Sequence, residues 1–308
     1  MKVILKNKRQ KLIIAIFVLA VIALLLISFI FACIRNGSVT VPPLPKDGVS
    51  FVFLSVGQAS CTMIFTDGGV LLIDTGSNNS ESTVLSAFSY YGVKEIHSIV
   101  LTHADEDHSG GLDAILNTYP VKNVILTENA YDDLSKAYEG IALKKAISEN
   151  RSSLILTTKG DIFPFGGSRL EVLAPSDHDI ALLKDGNEAS LILLFEFQDT
   201  RAIFTGDAGE SGEILTISAL AASRPKTTYD LLLVGHHGSN TSSCESFIRY
   251  ISPRFAVISC DENNTYGHPS ITVLNRLQRV GARILRTDRQ GTVVFSSDGK
   301  TMRLISPQ

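Results

Sequence analysis

The chain is 308 residues long, which allows one large domain or two small ones, and its formal net charge is −3. That near balance hides an asymmetry. Five Lys and Arg with no acid precede residue 35, leaving 23 Lys and Arg against 31 Asp and Glu from Arg35 onward, about −8. An acidic main portion without a basic stripe weighs against tight, extended binding to nucleic acid. Four cysteines, one of them (Cys33) inside an apolar run, do not make a disulfide framework.

In chain order, the first element is Leu12 to Ile34, 23 consecutive residues without a charge. At ~1.5 Å per residue this stretch spans a bilayer as one helix. Lys2, Lys6, Lys8, Arg9 and Lys11 precede it, so the positive-inside rule predicts that segment 1–11 is cytoplasmic and that everything after the helix is extracellular. A cleaved signal peptide, or a lipoprotein signal ending at Cys33, accounts less well for the length and for Phe31, and would also put the folded part outside. Residues 35–48, with Asn36-Gly37-Ser38 and Pro42-Pro43-Leu44-Pro45, have linker composition.

From residue 49 short apolar runs closed by turn signals alternate with helical patterns. The runs 51–56, 61–65 and 70–74 predict three strands, followed by a helix over 82–91. A strand over 98–101, a helix over 112–118 and a strand over 121–126 come next, then a charged helix over 132–149. Runs 190–195 and 201–205 flank Asp199-Thr200 as a hairpin, and a helix over 211–222 leads to a strand over 229–234. Strands near 255–258 and 292–295 bracket a helix over 272–280. Two β-rich halves with helices between them predict two sheets face to face with helices outside, in one domain over 49–308.

The chemistry concentrates where predicted strands end. His103-Ala104-Asp105-Glu106-Asp107-His108 follows Ser98–Leu101 and runs into Gly110-Gly111. Acids and imidazoles packed so densely repel one another or lose solvation unless a cation sits among them. Asp207 ends a later strand after Gly206, the His236/His237 pair ends another before Ser239, and His268 follows a third. Nitrogen and oxygen ligands without thiolates suit zinc or manganese, and several carboxylates allow two ions sharing a bridging acid.

With these residues in place, the chain resembles the metallo-β-lactamase superfamily, and within it the group containing the C-terminal hydrolase domain of ComEC-type DNA-uptake (competence) proteins. The motifs that carry this are Val56-Gly57-Gln58, Ile73-Asp74-Thr75-Gly76, His103–His108 with Gly110-Gly111, Asn187–Leu191, Gly206-Asp207, His236–Ser239 and Tyr266–Pro269, in that order. The resemblance implies an αββα sandwich of the α+β class with a two-metal hydrolytic site along one edge. Carried over by position, His103 and Asp105 would bind the first ion, and Asp107 and His108 the second, with Asp207 bridging. One histidine of the pair, taken as His236, would complete the second site, and its neighbour His237 would face the substrate with His268. The residues alone do not decide which is which. Asp107 would also take part in the chemistry, Asp74 would orient a ligand histidine, and Asn187 and Ser239 would support the metals or the substrate.

The resemblance also shows departures. Asp105 and Asn187 stand where the wider superfamily has histidines, and Ser55 and Ser60 replace two acids usual in the ComEC-type group. The resulting expectation is a membrane-anchored extracellular hydrolase using two divalent ions, zinc or manganese. Its substrates would be phosphodiesters, with DNA or nucleotides first and cell-wall linkages such as phosphorylcholine or teichoic acid second. A weakened metal-binding surface module is the alternative from a different class.

Overall fold

Short apolar runs, several of them continuous, build the central strands. In the computed structural model, which describes residues 44–45, 47–137, 147–183, 186–224 and 227–305, they assemble two sheets. The strands are β1 (Val49–Phe53), β2 (Thr62–Thr66), β3 (Gly69–Ile73), β4 (Ile96–Val100), β5 (Val121–Leu126), β6 (Ser153–Leu156), β7 (Ile162–Phe165), β8 (Ser168–Ala174), β9 (Ile192–Phe197), β10 (Thr200–Phe204), β11 (Leu231–Leu233), β12 (Phe255–Ile258), β13 (Arg283–Arg286), β14 (Val293–Ser297) and β15 (Met302–Leu304). One sheet runs β15-β14-β1-β2-β3-β4-β5-β6, the other β13-β12-β11-β10-β9-β8-β7.

The period of two decides which side chains face which layer. Val49, Phe51 and Phe53 of β1 point between the sheets and meet Phe195, Phe204 and Phe295 there. Phe51 and Phe195 pack edge to face at 5.3 Å, and Phe53 meets Phe295 the same way at 6.2 Å. Full burial of each such ring stabilises by roughly 1.5–3 kcal/mol. On the far side of the second sheet, Ile203, Leu232 and Ala256 pack against Leu220, Phe247 and Leu277, which come from the outer helices Glu210–Ser223, Glu245–Ile251 and Ile271–Arg279. The expected two-sheet architecture with outer helices is therefore present.

Both sheets contain a parallel block, β3-β4-β5-β6 in the first and β10-β11-β12-β13 in the second. Parallel strands send their carboxyl ends to one edge, where open α/β layers place ligands. The two edges are laced together. The Leu191 amide, just before β9, donates to the Thr102 carbonyl after β4 (2.9 Å), and within the second sheet the His236 amide after β11 donates to the Gly206 carbonyl after β10 (3.0 Å). Gly206 has φ +50°, and a Cβ there would stand 2.7 Å from the Thr102 Cβ, so only glycine lets the strand ends approach.

Several elements differ from the sequence reading. β6, β7, β8, β13 and β15 carry no run that announced them. β6 is largely exposed and β7 holds Pro164, as edge strands do. The charged helix begins earlier than expected and is described over Glu128–Ala137. The thiols of Cys61, Cys244 and Cys260 are buried and free, in agreement with the expected lack of a disulfide framework. No helix among the described residues is long and apolar enough to cross a membrane, and the Leu12–Ile34 segment lies outside them.

Candidate metal centre

The His103–His108 run folds as a strand end, an extended turn and one short helix. Asp105 is the residue before the helix Glu106–Ser109, with extended backbone, so Asp107 and His108 sit in its first turn. Gly111 then passes against the Thr75 carbonyl too closely for a Cβ. The amide and hydroxyl of Thr75 both donate to the His108 carbonyl, at 2.7 and 3.0 Å, and the Ser60 amide donates to the Asp107 carbonyl at 3.0 Å. The loop is thus fastened from two neighbouring segments.

Asp107, His108, Asp207 and His237 place one ligand atom each within 4.8 Å of one another. Three imidazoles in this region share a feature that the sequence could not show: Nδ1 is tied to the protein and Nε2 is left toward the cluster. His108 Nδ1 donates to Asp74 Oδ2 at 2.7 Å. His237 Nδ1 donates to the Ser259 carbonyl at 2.8 Å. His103 Nδ1 donates to the Thr102 hydroxyl at 3.1 Å, which itself donates to Asp74 at 3.0 Å. Anchoring of this kind fixes the tautomer and ring orientation of a metal ligand.

The free ends are orphaned. His103 Nε2, His108 Nε2 and Asp207 Oδ1 are buried without a hydrogen-bond partner, although His108 Nε2 and Asp207 Oδ1 are 3.0 Å apart. Buried polar atoms left unpaired cost free energy, so a close but misaligned nitrogen and oxygen fit a cation between them. His237 Nε2 lies 3.1 Å from Asp107 Oδ2 and 3.9 Å from Asp207 Oδ2. The donor set, two imidazoles and two carboxylates with a third imidazole beside them, suits a divalent ion.

The electrostatics follow from this crowding. Burial would raise the Asp207 carboxyl, but the His108 and His237 charges outweigh it and hold its pKa far below the usual range. Asp107 is lowered too, burial again being overcome by the hydrogen bond from His237 and the charge of His108. Burial would lower His108, yet Asp207 and Asp74 push it well above its ordinary value. His237 is raised by Asp207 and Asp107 against the same burial. His103, buried beside His108, is pushed down to about 4.

The remaining expected residues fall into three places. Asp105 lies on the exposed side, its Oδ2 3.9 Å from His103 Nε2, and with Asn187 it lines the cavity beside the four-residue cluster. His268 borders the same cavity; Gln58 Nε2 lies 3.3 Å from its Nδ1. Ser239 is buried behind the pair, and its hydroxyl pairs with Thr241 rather than reaching the cavity. The geometry reverses the expected order within the histidine pair. His237, not His236, stands in the cluster, while His236 is more exposed, 3.6 Å from Asp207 Oδ2 and 3.3 Å from the Thr241 hydroxyl. Both have left-handed backbones, φ 50° and 53°, a strain that aims two adjacent rings to different sides.

Thr102, Gln58, Tyr266 and the Ser259 carbonyl were not identified as site groups from sequence. Thr102 directly precedes His103, and this was the one local signal available. The cavity that Gln58 and Tyr266 line beside the cluster has a volume of about 1010 Å³. Glu81, Asp105, Glu106, Asp107, Asp113, Asp133 and Asp207 line it, and among the described residues no Lys or Arg does.

This layered fold, with a carboxylate and imidazole cluster at the joined strand ends, defines a metal-centre protein. Residues 54–261 match the Metallo-beta-lactamase superfamily, and the chain belongs to it. It is 30% identical over 271 residues to ComE operon protein 3 of Bacillus subtilis, an alignment covering 82% of this chain and 34% of that protein. Competence protein ComA of Neisseria gonorrhoeae is 30% identical over 254 residues, covering 82% and 33%. The chain is therefore related to ComEC-type competence proteins but spans about a third of the length of these curated relatives. Among solved structures, the diiron β-hydroxylase CmlA of Streptomyces venezuelae is similar with a TM-score of 0.53 at 13% identity, covering 86% of this chain and 55% of that one. At that identity the likeness concerns the fold alone, and the fold does not fix the reaction.

Proposed function

We propose that the chain is a metal-dependent phosphodiesterase, held at the outer face of a membrane by the Leu12–Ile34 segment and acting on DNA ends, nucleotides or other small phosphodiesters. The observation that carries it is the trio of imidazoles anchored through Nδ1, with the Nε2 of His103 and His108 orphaned and that of His237 on Asp107, beside two ionised carboxylates. Asp107, His108, Asp207 and His237 would hold one divalent ion, manganese or zinc. His103, Asp105 and Asn187 flank the place for a second. Divalent ions bound there supply Lewis acidity, polarising a substrate oxygen and lowering the pKa of water.

The chain's own residues supply the rest. Asp74 and Thr102 hold two ligand imidazoles in a single tautomer, and the Ser259 carbonyl does so for His237. Gln58 accepts the Asp261 amide proton through Oε1, which turns its NH₂ toward His268 Nδ1. That contact makes Nδ1 the acceptor and leaves the proton on Nε2. Burial, with His236 nearby, lowers the His268 pKa and so favours the neutral ring. It therefore offers a hydrogen bond to a phosphoryl or leaving oxygen rather than a free proton. His236, beside it on the cavity, would face the same group.

Acids without described cations around the cavity favour a short substrate over a long polyanion, because extended DNA binding rests on phosphate contacts from Lys and Arg. The test uses the full chain with manganese or zinc, assayed on bis-p-nitrophenyl phosphate and on single-stranded DNA. Turnover that needs the metal and disappears in His108→Ala is expected. Tight metal binding with no turnover under any metal would instead indicate the weakened module raised by Ser55 and Ser60.

A further inference from the structure

Tyr266 sits at the lip of the cavity with 72% of its surface exposed. A lone exposed tyrosine is ordinary. This one differs in being fixed. Its ring stacks on His268 with centroids 5.6 Å apart and planes 23° from parallel, and the His268 ring lies 5.6 Å from that of His236. One face of the tyrosine therefore rests on His268 while most of the residue stays exposed at the lip of the cavity, and His236 meets His268 at 73°.

The loop beneath is tied to itself. Asn264 Oδ1 accepts the amides of Tyr266 (3.1 Å) and His268 (3.0 Å), and its NH₂ donates to the carbonyls of Asp261 (2.7 Å) and His268 (2.6 Å). Gln58 bonds both the Asp261 amide and the His268 ring from across the cavity. A loop held at this many points presents its aromatic ring at little entropic cost on binding.

The acid lining sharpens what that ring could bind. Seven acids line the cavity, so an uncharged aromatic ring offers a substrate contact that does not add to their repulsion of its phosphate. We propose that Tyr266, backed by His268, is a stacking platform for the nucleobase next to the scissile phosphate, making the site selective for nucleotidic phosphodiesters and short single-stranded ends. The proposal rests on the phosphodiesterase reading above but concerns selectivity rather than the reaction. Every base has a π-face, so the platform would discriminate nucleotides from non-aromatic phosphodiesters without reading sequence.

The experiment compares the manganese-loaded full chain with its Tyr266→Ala and Tyr266→Phe variants. Two substrates share a leaving group: the p-nitrophenyl ester of thymidine 5′-monophosphate and methyl p-nitrophenyl phosphate. Tyr266→Ala is expected to raise KM for the thymidine ester by about 5- to 150-fold, the range set by base stacking on aromatic side chains. Its kcat, and both constants for the methyl ester, should stay near wild type, and Tyr266→Phe should restore the thymidine KM. Thymidine 5′-monophosphate binding, measured by calorimetry, should weaken by the same factor in Tyr266→Ala.

Equal losses on both esters, or an unchanged thymidine KM, would overturn the platform. So would a selective loss on p-nitrophenylphosphorylcholine, which would show that the ring receives a cation instead. If no ester is turned over yet nucleotide binding still depends on Tyr266, the platform stands and the phosphodiesterase reading falls.

Discussion

The two sides of the centre are built to different standards. On one side Asp107, His108, Asp207 and His237 converge within 4.8 Å, are largely buried, and have both imidazoles anchored through Nδ1. On the other, His103 is equally buried and anchored, but its neighbours are Asp105, 3.9 Å away and more than half exposed at its side chain, and the amide Asn187. A carboxylate at the solvent edge can move and stay hydrated, and a neutral amide donates weakly to a cation. The contrast teaches that this chain has invested its rigidity in one cluster of four candidate ligands, and that the groups beside it are held less tightly.

The largest expected effect would break the tight side. Asp207 is buried in the cluster with its Oδ1 3.0 Å from His108 Nε2, so Asp207→Ala should remove tight metal binding and bring hydrolysis to background, measured by metal content after dialysis and by initial rates. Next is the support behind the tight side. Asp74→Asn keeps the shape but loses the charge that fixes His108, and metal affinity or activity should fall by about 10–100-fold. Competition with a chromophoric chelator reads the affinity directly.

Smaller again is the loose side. Asp105→Ala should cut the affinity of the weaker ion while leaving the tighter one within a few-fold. A two-site calorimetric titration separates the pair. Equal losses at both positions would show that the asymmetry described here is wrong.

The smallest effect lies away from the metals. Glu213, fully buried in the helix Glu210–Ser223, accepts the amides of Ser243 and Cys244, at 2.5 and 2.7 Å, and so fastens the loop that follows the histidine pair. Burial pushes its pKa from 4.5 up to about 7, against the pull of those hydrogen bonds. A folded-state pKa above the unfolded one means that the folded state holds the proton more tightly. This stability is full below pH 4.5 and is lost as pH rises toward 7. Denaturant midpoints for wild type should therefore fall over that window relative to Glu213→Gln, whose side chain does not titrate.

Much of the first sheet and of the metal cluster was legible in the sequence because both are written locally. β3 is a continuous apolar run after Gly69, β4 and β5 end on Ile99-Val100 and Val124-Ile125-Leu126, and four ligands fall within six residues after β4. Asp207 was legible for a similar reason, as an acid after a glycine at a strand end. The rest depends on contacts that sequence does not encode locally. β6 and β7 expose most of their residues, so no burial pattern marks them. The roles of His236 and His237 separate only through the Ser259 carbonyl, 22 positions from His237, and through two left-handed backbones that no pattern predicts. Ser60 gave a misleading signal: it reads as a lost acid, yet its amide still holds the Asp107 carbonyl in place.

The most direct test is a manganese or zinc titration of the full chain, comparing His237→Ala with His236→Ala by calorimetry. The account predicts that His237→Ala loses the tight ion whereas His236→Ala keeps it and loses only turnover. Tight binding that survives in His237→Ala and disappears in His236→Ala would contradict the centre as assigned.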